Sequence, residues 1–529
     1  MVELEKVINS SAKGSMYLFI GRLLSEILNA LGAVYIGRTL AADQYGILSL
    51  YYLVPWTFDL FTNLGLNYAV TRLFAYNSSR NQWNSIKKVL KTTFLVKIII
   101  SFIISYFVVI YSDTLAEVLL NRIELGYIVR YSAVLIIAQA CFSILQSVCA
   151  GLDRMDYLAL MGVLMSLTKA SVSIYFVYKG YGAQGAFTGH LLGTGLVVII
   201  TLGLVMKYIY NKKTEDEVDA EAYDSSLFGM LKFGFPLYIG SLISGSGQRY
   251  ISYLIALFST NVELGSLDVS KKFVSLLSLF ISPISSVIFP AFSKFNIHKE
   301  RDEVESIYRF SIRYSTLLII PVMMAIFLFA DPGINFLYDY KYADAPLFLQ
   351  LSLLQYITVS MGSLSMGNLL NSQGKTTTTF RLTIINTVIN AVLSFFMISN
   401  YGLIGYFISV IISEIIGTLL SFYVTRNSYN IDYNYVHSIR VILFSVISAI
   451  LTYSIMLVMN IEQVLPYLVV GTLLYISFCL ILAPLLGALT KEDVDNIRML
   501  LKSSSRMYSF IEPFFLILEK LVNTLGRNG

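Results

Sequence analysis

Apolar runs of about 20 or more residues recur from one end of this chain to the other, each long enough to cross a hydrocarbon core of about 30 Å. In hydrocarbon every backbone polar group must be satisfied within the protein, so only helices and closed barrels span it. A barrel would show alternating segments of about 10 residues, and this sequence has none. The expected fold is therefore an all-α polytopic membrane protein. Composition agrees. Of the 529 residues 56% are hydrophobic and 13% charged, where a soluble chain carries about 25% charge.

The runs predict about 14 spans. Their limits fall near 15–40, 46–75, 88–111, 125–150, 157–178, 183–208, 228–258, 264–292, 307–330, 345–371, 378–399, 402–425, 438–460 and 463–487. The first run, with Arg22 and Glu26, is too long and too charged for a cleavable signal peptide and reads as a spanning helix. Even-numbered connections are basic, as in Lys87, Lys88 and Lys91 or Lys294, Lys299 and Arg301. Odd-numbered ones are short and acidic or neutral. The positive-inside rule then places both termini in the cytoplasm of a multi-pass cell-membrane protein. Cys141, Cys149 and Cys479 all lie in apolar segments and suggest neither a disulfide nor a metal site.

A seven-residue phrase occurs twice. YGAQGAF spans Tyr181–Phe187 and YGLIGYF spans Tyr401–Phe407, a shift of 220 residues. YLFIG at Tyr17–Gly21 resembles PLYIG at Pro236–Gly240 in nearly the same register. The repeat predicts two six-helix lobes, 1–213 and 227–430, joined by an acidic cytoplasmic linker at 214–226. Helices 13 and 14 (431–490) are extra, and 491–529 is a cytoplasmic or interfacial tail. An even number of spans per half inserts both halves in one direction. The lobes are then expected to form a V, related by an axis along the membrane normal, with a cavity between them.

The charges do not follow the repeat. At a shift of 219, Arg22 faces Ser241, Glu26 faces Gly245, Arg249 corresponds to Ala30, and Lys271 and Lys272 to Tyr52 and Leu53. A charge at a helix centre costs about 2.5–3.5 kcal/mol on insertion scales. Unrepeated charges therefore point to a task performed once. Arg22, Arg249, Lys271 and Lys272 are the candidate anion-binding residues, and Glu26, Asp59 and Asp268 the candidates for H+ or Na+ coupling. Lys272 can pair with Asp268 one turn away, leaving Lys271 less neutralised. Lys97 and Arg130 lie nearer the expected span ends and could snorkel. Lys169 and Glu414 are weaker candidates, suited to structural pairs. Gly185, Gly189 and Gly193 are spaced for close helix packing. A cationic cavity rich in tyrosine and serine suits an anionic, hydroxyl-rich cargo.

Catalytic signatures are missing. There is no Walker A sequence, no H-E-x-x-H, no cysteine pair and no nucleophile elbow, and His190, His298 and His437 are scattered. No metal, cofactor or nucleic-acid partner is expected, and the chain reads as a transporter rather than an enzyme, working as a monomer among membrane lipids.

Three segments carry a resemblance. GAVYIGRTLAADQYGILSL (Gly32–Leu50), NLGLNYAVTR (Asn63–Arg72) and SLDVSKKFVSLLSLFISPISSVIFPAFSK (Ser266–Lys294) resemble the polysaccharide-export, or oligosaccharide flippase, family of the multidrug/oligosaccharidyl-lipid/polysaccharide exporter superfamily. The resemblance covers most of the first 430 residues and departs at Ala41-Ala42, where glycine is common. It implies two lobes working by alternating access. The implied cargo is a polyprenyl- or dolichyl-(pyro)phosphate-linked oligosaccharide, moved from the cytoplasmic to the outer leaflet. It also implies basic residues holding the phosphate, by position Arg22, Arg249, Lys271 and Lys272. The competing expectation is an ion-coupled multidrug or cation exporter of the same fold, which would want a net acidic cavity.

Overall fold

The computed structural model describes residues 2–212, 226–295, 297, 299–431 and 435–502, with 519, 522 and 524. The expected linker at 214–226 lies outside the described residues except for Ser226. His298 and most of the apolar run 507–522 lie outside them too. All regular structure among the described residues is helical. Among the described residues nine helices are long and apolar enough to cross a membrane, or eleven if two bent pairs each count as one span.

Packing groups the chain into two compact units, 1–265 and 266–529. The first holds α1 (Val2–Thr39), α2 (Ala42–Asn63), α3 (Leu66–Ser79), α4 (Trp83–Ile110), α5 (Ser112–Leu120), α6 (Gly126–Gly151), α7 (Met155–Tyr178), α8 (Gly182–Tyr210) and α9 (Leu227–Phe258). It also holds the first turn of α10 (Asn261–Ser293). The α6 helix is its centre, packed against α2, α3, α4, α5 and α8. Ile144, Leu145 and Val148 of α6 join Val70 and Phe74 of α3, Ile86 of α4 and Val197 of α8 in one buried cluster.

Lipid is as apolar as leucine, so helices in a membrane associate through close packing and hydrogen bonds rather than through hydrophobic burial. The α1–α7–α8 layer follows this rule with small residues. A Cβ on Gly21 would lie 2.7 Å from the Ala159 Cβ, and one on Gly32 would lie 2.9 Å from the Ala170 Cβ. Between them the Asn29 side-chain amide donates to Ser166 Oγ at 3.0 Å. On the other face of α7, a Cβ on Gly189 would lie 2.3 Å from the Ser173 nitrogen.

The second unit holds the rest of α10 with α11 (Arg301–Leu328), α12 (Ala330–Tyr338), α13 (Ala345–Leu354), α14 (Ser363–Ser372), α15 (Thr376–Tyr429), α16 (Val436–Met459), α17 (Val464–Leu485) and α18 (Lys491–Lys502). Its core joins Phe292 of α10, Tyr308 and Ile312 of α11, and Met366, Leu369 and Leu370 of α14. Gln373 closes the end of α10. Its amide donates to the Phe292 and Phe295 carbonyls at 3.0 Å each, and its oxygen accepts from the Ile297 nitrogen at 3.1 Å.

The repeated phrase has the same structural use in each unit. Gly182 and Gly402 have φ of +57° and +58°, positive values that glycine adopts without steric cost. Gly182 opens α8, and Gly402 breaks the 54-residue α15 in two. Three residues on, a Cβ at Gly185 would lie 3.0 Å from the Phe176 Cβ, and one at Gly405 only 2.0 Å from the Met397 carbonyl oxygen. Phe187 then stacks on Tyr51 with centroids 4.9 Å apart, and Phe407 lies 5.4 Å from Phe348. These are turn and packing residues.

The α18 helix docks on α11 through one buried carboxylate. Asp493 accepts from Arg313 at 2.6 Å, from the Tyr314 hydroxyl at 3.0 Å, and from the Thr490 nitrogen and hydroxyl at 2.8 and 2.7 Å. Thr490 and Asp493 thereby form a helix-start box. Burial opposes the charge on Asp493, but the Arg313 guanidinium and the two Thr490 donors outweigh it. They hold the carboxyl below the usual carboxylate range.

Two outcomes follow from this packing. Gly405→Ala and Gly402→Ala each lower the melting temperature of the detergent-solubilised protein, the first by a clash with the Met397 carbonyl and the second by forcing an L-residue into a backbone conformation that glycine adopts. Gly195→Ala, with nothing within 4 Å of its Cβ, leaves it unchanged or raised. The α18 dock depends on a lowered folded pKa, so its stability is full above about pH 4 and is lost as the pH falls through the folded value. The protection of α18 amides against exchange, relative to the intrinsic rate at each pH, should be unchanged from pH 7 to 5 and fall below 4. In Asp493→Asn it should be low at every pH.

Candidate functional site

The second expected span is not one helix. It stops at Asn63, Leu64 and Gly65 turn left-handed at φ +45° and +85°, and the chain restarts at Leu66. Such a break survives at membrane depth only where protein or water satisfies the freed groups. Here Asn63 Oδ1 accepts from the Asn67 nitrogen at 3.2 Å, and Thr62 Oγ1 donates to the Asp59 carbonyl at 2.9 Å and carboxylate at 3.0 Å. The α9 helix bends by 53° between Phe235 and Tyr238. The two irregular segments touch: a Cβ on Gly65 would lie 2.2 Å from the Gly234 carbonyl carbon.

Polar side chains gather beside this double break. Lys97, in the middle of α4, is 1% exposed. Its ammonium donates to Asn67 Oδ1 at 2.7 Å and to Ser143 Oγ of α6 at 2.8 Å. Asp59, half-buried on α2, lies within electrostatic reach of both Lys97 and Arg249. Arg249 Nε donates to the Trp56 carbonyl at 3.3 Å, and one turn along α9 the Tyr253 hydroxyl donates to Thr57 Oγ1 at 3.0 Å. Arg249 and Tyr253 therefore both face α2. Two of the expected site residues, Asp59 and Arg249, come together here.

Lys97 corrects the sequence reading. The expected third span began at residue 88, which put Lys97 near a span end and within reach of the headgroups. The helix begins at Trp83, because Lys87, Lys88 and Lys91 are helical although charged. Lys97 is thereby central, and its ammonium points inward to named acceptors. Arg130 does lie at a span end, in an exposed pair with Asp113 at 3.3 Å. Lys169 sits 5.4 Å from the Tyr52 ring, which meets buried His190 edge-on at 5.1 Å.

Arg22 and Glu26 lie elsewhere in the same unit. Arg22 is exposed and Glu26 half-buried on α1, beside the small-residue contact with α7.

In the second unit, Asp268 and Lys272 pair at 3.2 Å one turn apart. Lys271 is exposed, with its ammonium 6.0 Å from the Tyr406 ring centre. Asp268 is also within electrostatic reach of Tyr338 and Tyr342, which meet edge-on at 5.5 Å. Glu414 interacts with Tyr356. This group is a paired carboxylate, a second lysine without that pairing, and several phenols. Among the described residues no cluster of His, Cys, Asp and Glu could hold a metal ion.

Comparison with known proteins places this architecture. Residues 35–347 match a family described as polysaccharide biosynthesis protein, and residues 248–479 match a family described as lipid II flippase MurJ. A Haloferax volcanii protein named as a probable low-salt glycan biosynthesis flippase, Agl15, is 25% identical over 410 residues, covering 76% of this chain and 80% of its own. An uncharacterized membrane protein of Methanocaldococcus jannaschii is 23% identical over the same length, covering 74% and 79%. Among solved structures, lipid II flippase MurJ in an inward closed conformation aligns with a TM-score of 0.68 at 17% identity, covering 88% of this chain and 98% of that one. An inward-facing multidrug-resistance MATE transporter aligns at 0.55 and 15%, covering 77% and 94%. These structures share the fold. The first match, over more than half of its length, shows that the chain belongs to the family described as polysaccharide biosynthesis protein, and its fold is shared with the MurJ and MATE structures.

Proposed function

We propose that the chain flips a lipid-(pyro)phosphate-linked oligosaccharide from the cytoplasmic to the outer leaflet of the cell membrane by alternating access. The glycan would serve a surface polysaccharide or glycoprotein. The observation that carries the reading is the similarity to the Haloferax glycan biosynthesis flippase over three quarters of both chains. Fourteen spans with both termini cytoplasmic fit this reading. That number follows when α15 counts twice, each bent pair counts once, and α2–α3 and α10 are added to the remaining apolar helices. The repeat register supports lobes at 1–213 and 227–430.

Arg22, Arg249, Lys271 and Lys272 are proposed to bind the phosphate, and Glu26, Asp59 and Asp268 to couple ions. Charge supports an unequal division of labour. Lys272 is compensated by Asp268, so Lys271 offers more uncompensated charge to an anion. Arg249 uses one of its five N–H donors on a helix carbonyl. That anchor fixes the planar guanidinium, a group suited to bidentate phosphate contact. The phenols near Lys271 suit sugar hydroxyls.

The MATE structural neighbour keeps a second reading in view, an ion-coupled drug or cation exporter. Deletion separates the two. Lipid-linked sugar accumulating on the cytoplasmic leaflet supports the flippase, whereas unchanged sugars with increased drug sensitivity support the exporter. Arg249→Ala or Lys271→Ala removes a charge-assisted contact of about 1.5–3 kcal/mol. Either should cut surface-glycan export about 10- to 100-fold at normal membrane abundance. Normal glycan in cells carrying both substitutions would contradict the phosphate-binding role.

A further inference from the structure

A cavity of about 260 Å3 lies between α3 and the first two turns of α9, entirely within the first unit. Buried Ala69, Leu73 and Met230 wall its inner side, and exposed Lys232 and Phe233 stand at its mouth. Arg72 joins them, with its guanidinium carbon 4.2 Å from the centre of the Phe233 ring. The ring holds the guanidinium by its flat face, so the N–H donors lie in a fixed plane. Two cations thus share the cavity, and no carboxylate is among its described lining residues. Gly229 and Met230 line it from the first turn of α9, which adds the positive end of a helix dipole. Neither Arg72 nor Lys232 has a place in the division of labour above.

Arg72 lies seven residues beyond Gly65, about 10 Å along α3. The Gly65–Gly234 contact therefore stands between this cavity and the level of Asp59 and Arg249. In the proposed orientation the cavity is at the cytoplasmic face, where the cargo starts. We propose that it binds the phosphate of a membrane-lipid headgroup, apart from the central cations. A planar guanidinium meets a phosphate in bidentate fashion, and the neighbouring ammonium adds a point charge. Basic pockets between transmembrane helices at this face are where lipid headgroups bind. The volume falls below the about 300–1,000 Å3 of clefts that enclose a whole small molecule. It suits a headgroup, with sugars and lipid chain left outside. Two lipids carry that chemistry, the pyrophosphate-linked cargo and an ordinary acidic phospholipid. Assigning the site to the cargo rests on the flippase reading; assigning it to a lipid phosphate does not.

The test uses the purified full-length protein in detergent, carrying Arg249→Ala and Lys271→Ala so that the central cations do not hold the probes. Binding is read by thermophoresis for a short-chain polyprenyl diphosphate, the matching polyprenol, a short-chain phosphatidylglycerol and inorganic pyrophosphate. The diphosphate should bind at least about tenfold tighter than the polyprenol. Adding Lys232→Gln should weaken it about tenfold, and adding Arg72→Gln by more. Arg72→Lys keeps the charge without the flat stack and should fall between wild type and Arg72→Gln. Lys232 is exposed, so its variant carries the test even where Arg72→Gln does not fold. Preference for the diphosphate over phosphatidylglycerol supports the site and assigns it to the cargo. Equal binding of the two supports it as a site for acidic lipid. The proposal is overturned by no binding in this background, or by binding indifferent to both Lys232→Gln and a folded Arg72→Gln. It is equally overturned by polyprenol matching the diphosphate, or by pyrophosphate matching both lipids, which would make this a soluble-anion site. A deletion strain with normal lipid-linked sugars would sink the flippase reading and leave these binding results standing.

Discussion

Hydrocarbon offers no hydrogen-bond partner, and the local structure of this chain is organised around that fact. Where a helix runs unbroken, its backbone satisfies itself. Where it breaks, a side chain or a neighbouring backbone has been placed at the break. Asn63 meets the restarting helix at Asn67, Gly65 meets Gly234 backbone to backbone, and Gln373 gathers two carbonyls and an amide at the end of α10. The break at Leu64–Gly65 costs regular structure and gains a place for polar groups between the helices. Lys97, Asp59 and Arg249 all lie near the first of these breaks.

The same constraint explains the glycines and serines. With no hydrophobic force between helices in lipid, contact distance decides association. The α1–α7–α8 layer is built from Gly21, Gly32 and Gly189 against Ala159, Ala170 and Ser173, leaving the bulkier faces outward. Leu24, Ile27 and Leu31 of α1 are all exposed, as lipid-facing residues should be. Many buried hydroxyls return their proton to a carbonyl one turn back, as Thr93, Thr316 and Ser445 do. They are polar in composition and inert in packing.

Much of this was legible in the sequence, for physical reasons. Span length and charge share fix the class, because the bilayer sets both. The repeated phrase set a register, and the positive-φ glycines at 182 and 402 give that register a structural cause. The Asp268–Lys272 pair follows from helix spacing alone. What was not legible depends on tertiary packing. The break at Leu64–Gly65 carries no proline, and its capping by Asn63 needs the restarting helix in place. The depth of Lys97 was misjudged because charged residues at the start of α4 looked like a loop. Its partners, Asn67 and Ser143, come from two other helices, so no local pattern could name them.

Cations are held inside the apolar helices of this chain at known cost, and the proposed movement of a lipid-linked glycan depends on them. The most direct test reconstitutes the purified protein into liposomes containing a fluorescent polyprenyl-pyrophosphate oligosaccharide in both leaflets. A membrane-impermeant sugar oxidant is then added outside. The account predicts that oxidation proceeds from the outer pool to the whole pool in liposomes with the protein, and that Arg249→Ala slows the second phase. Oxidation that stops at the outer pool, as in protein-free liposomes, would contradict it.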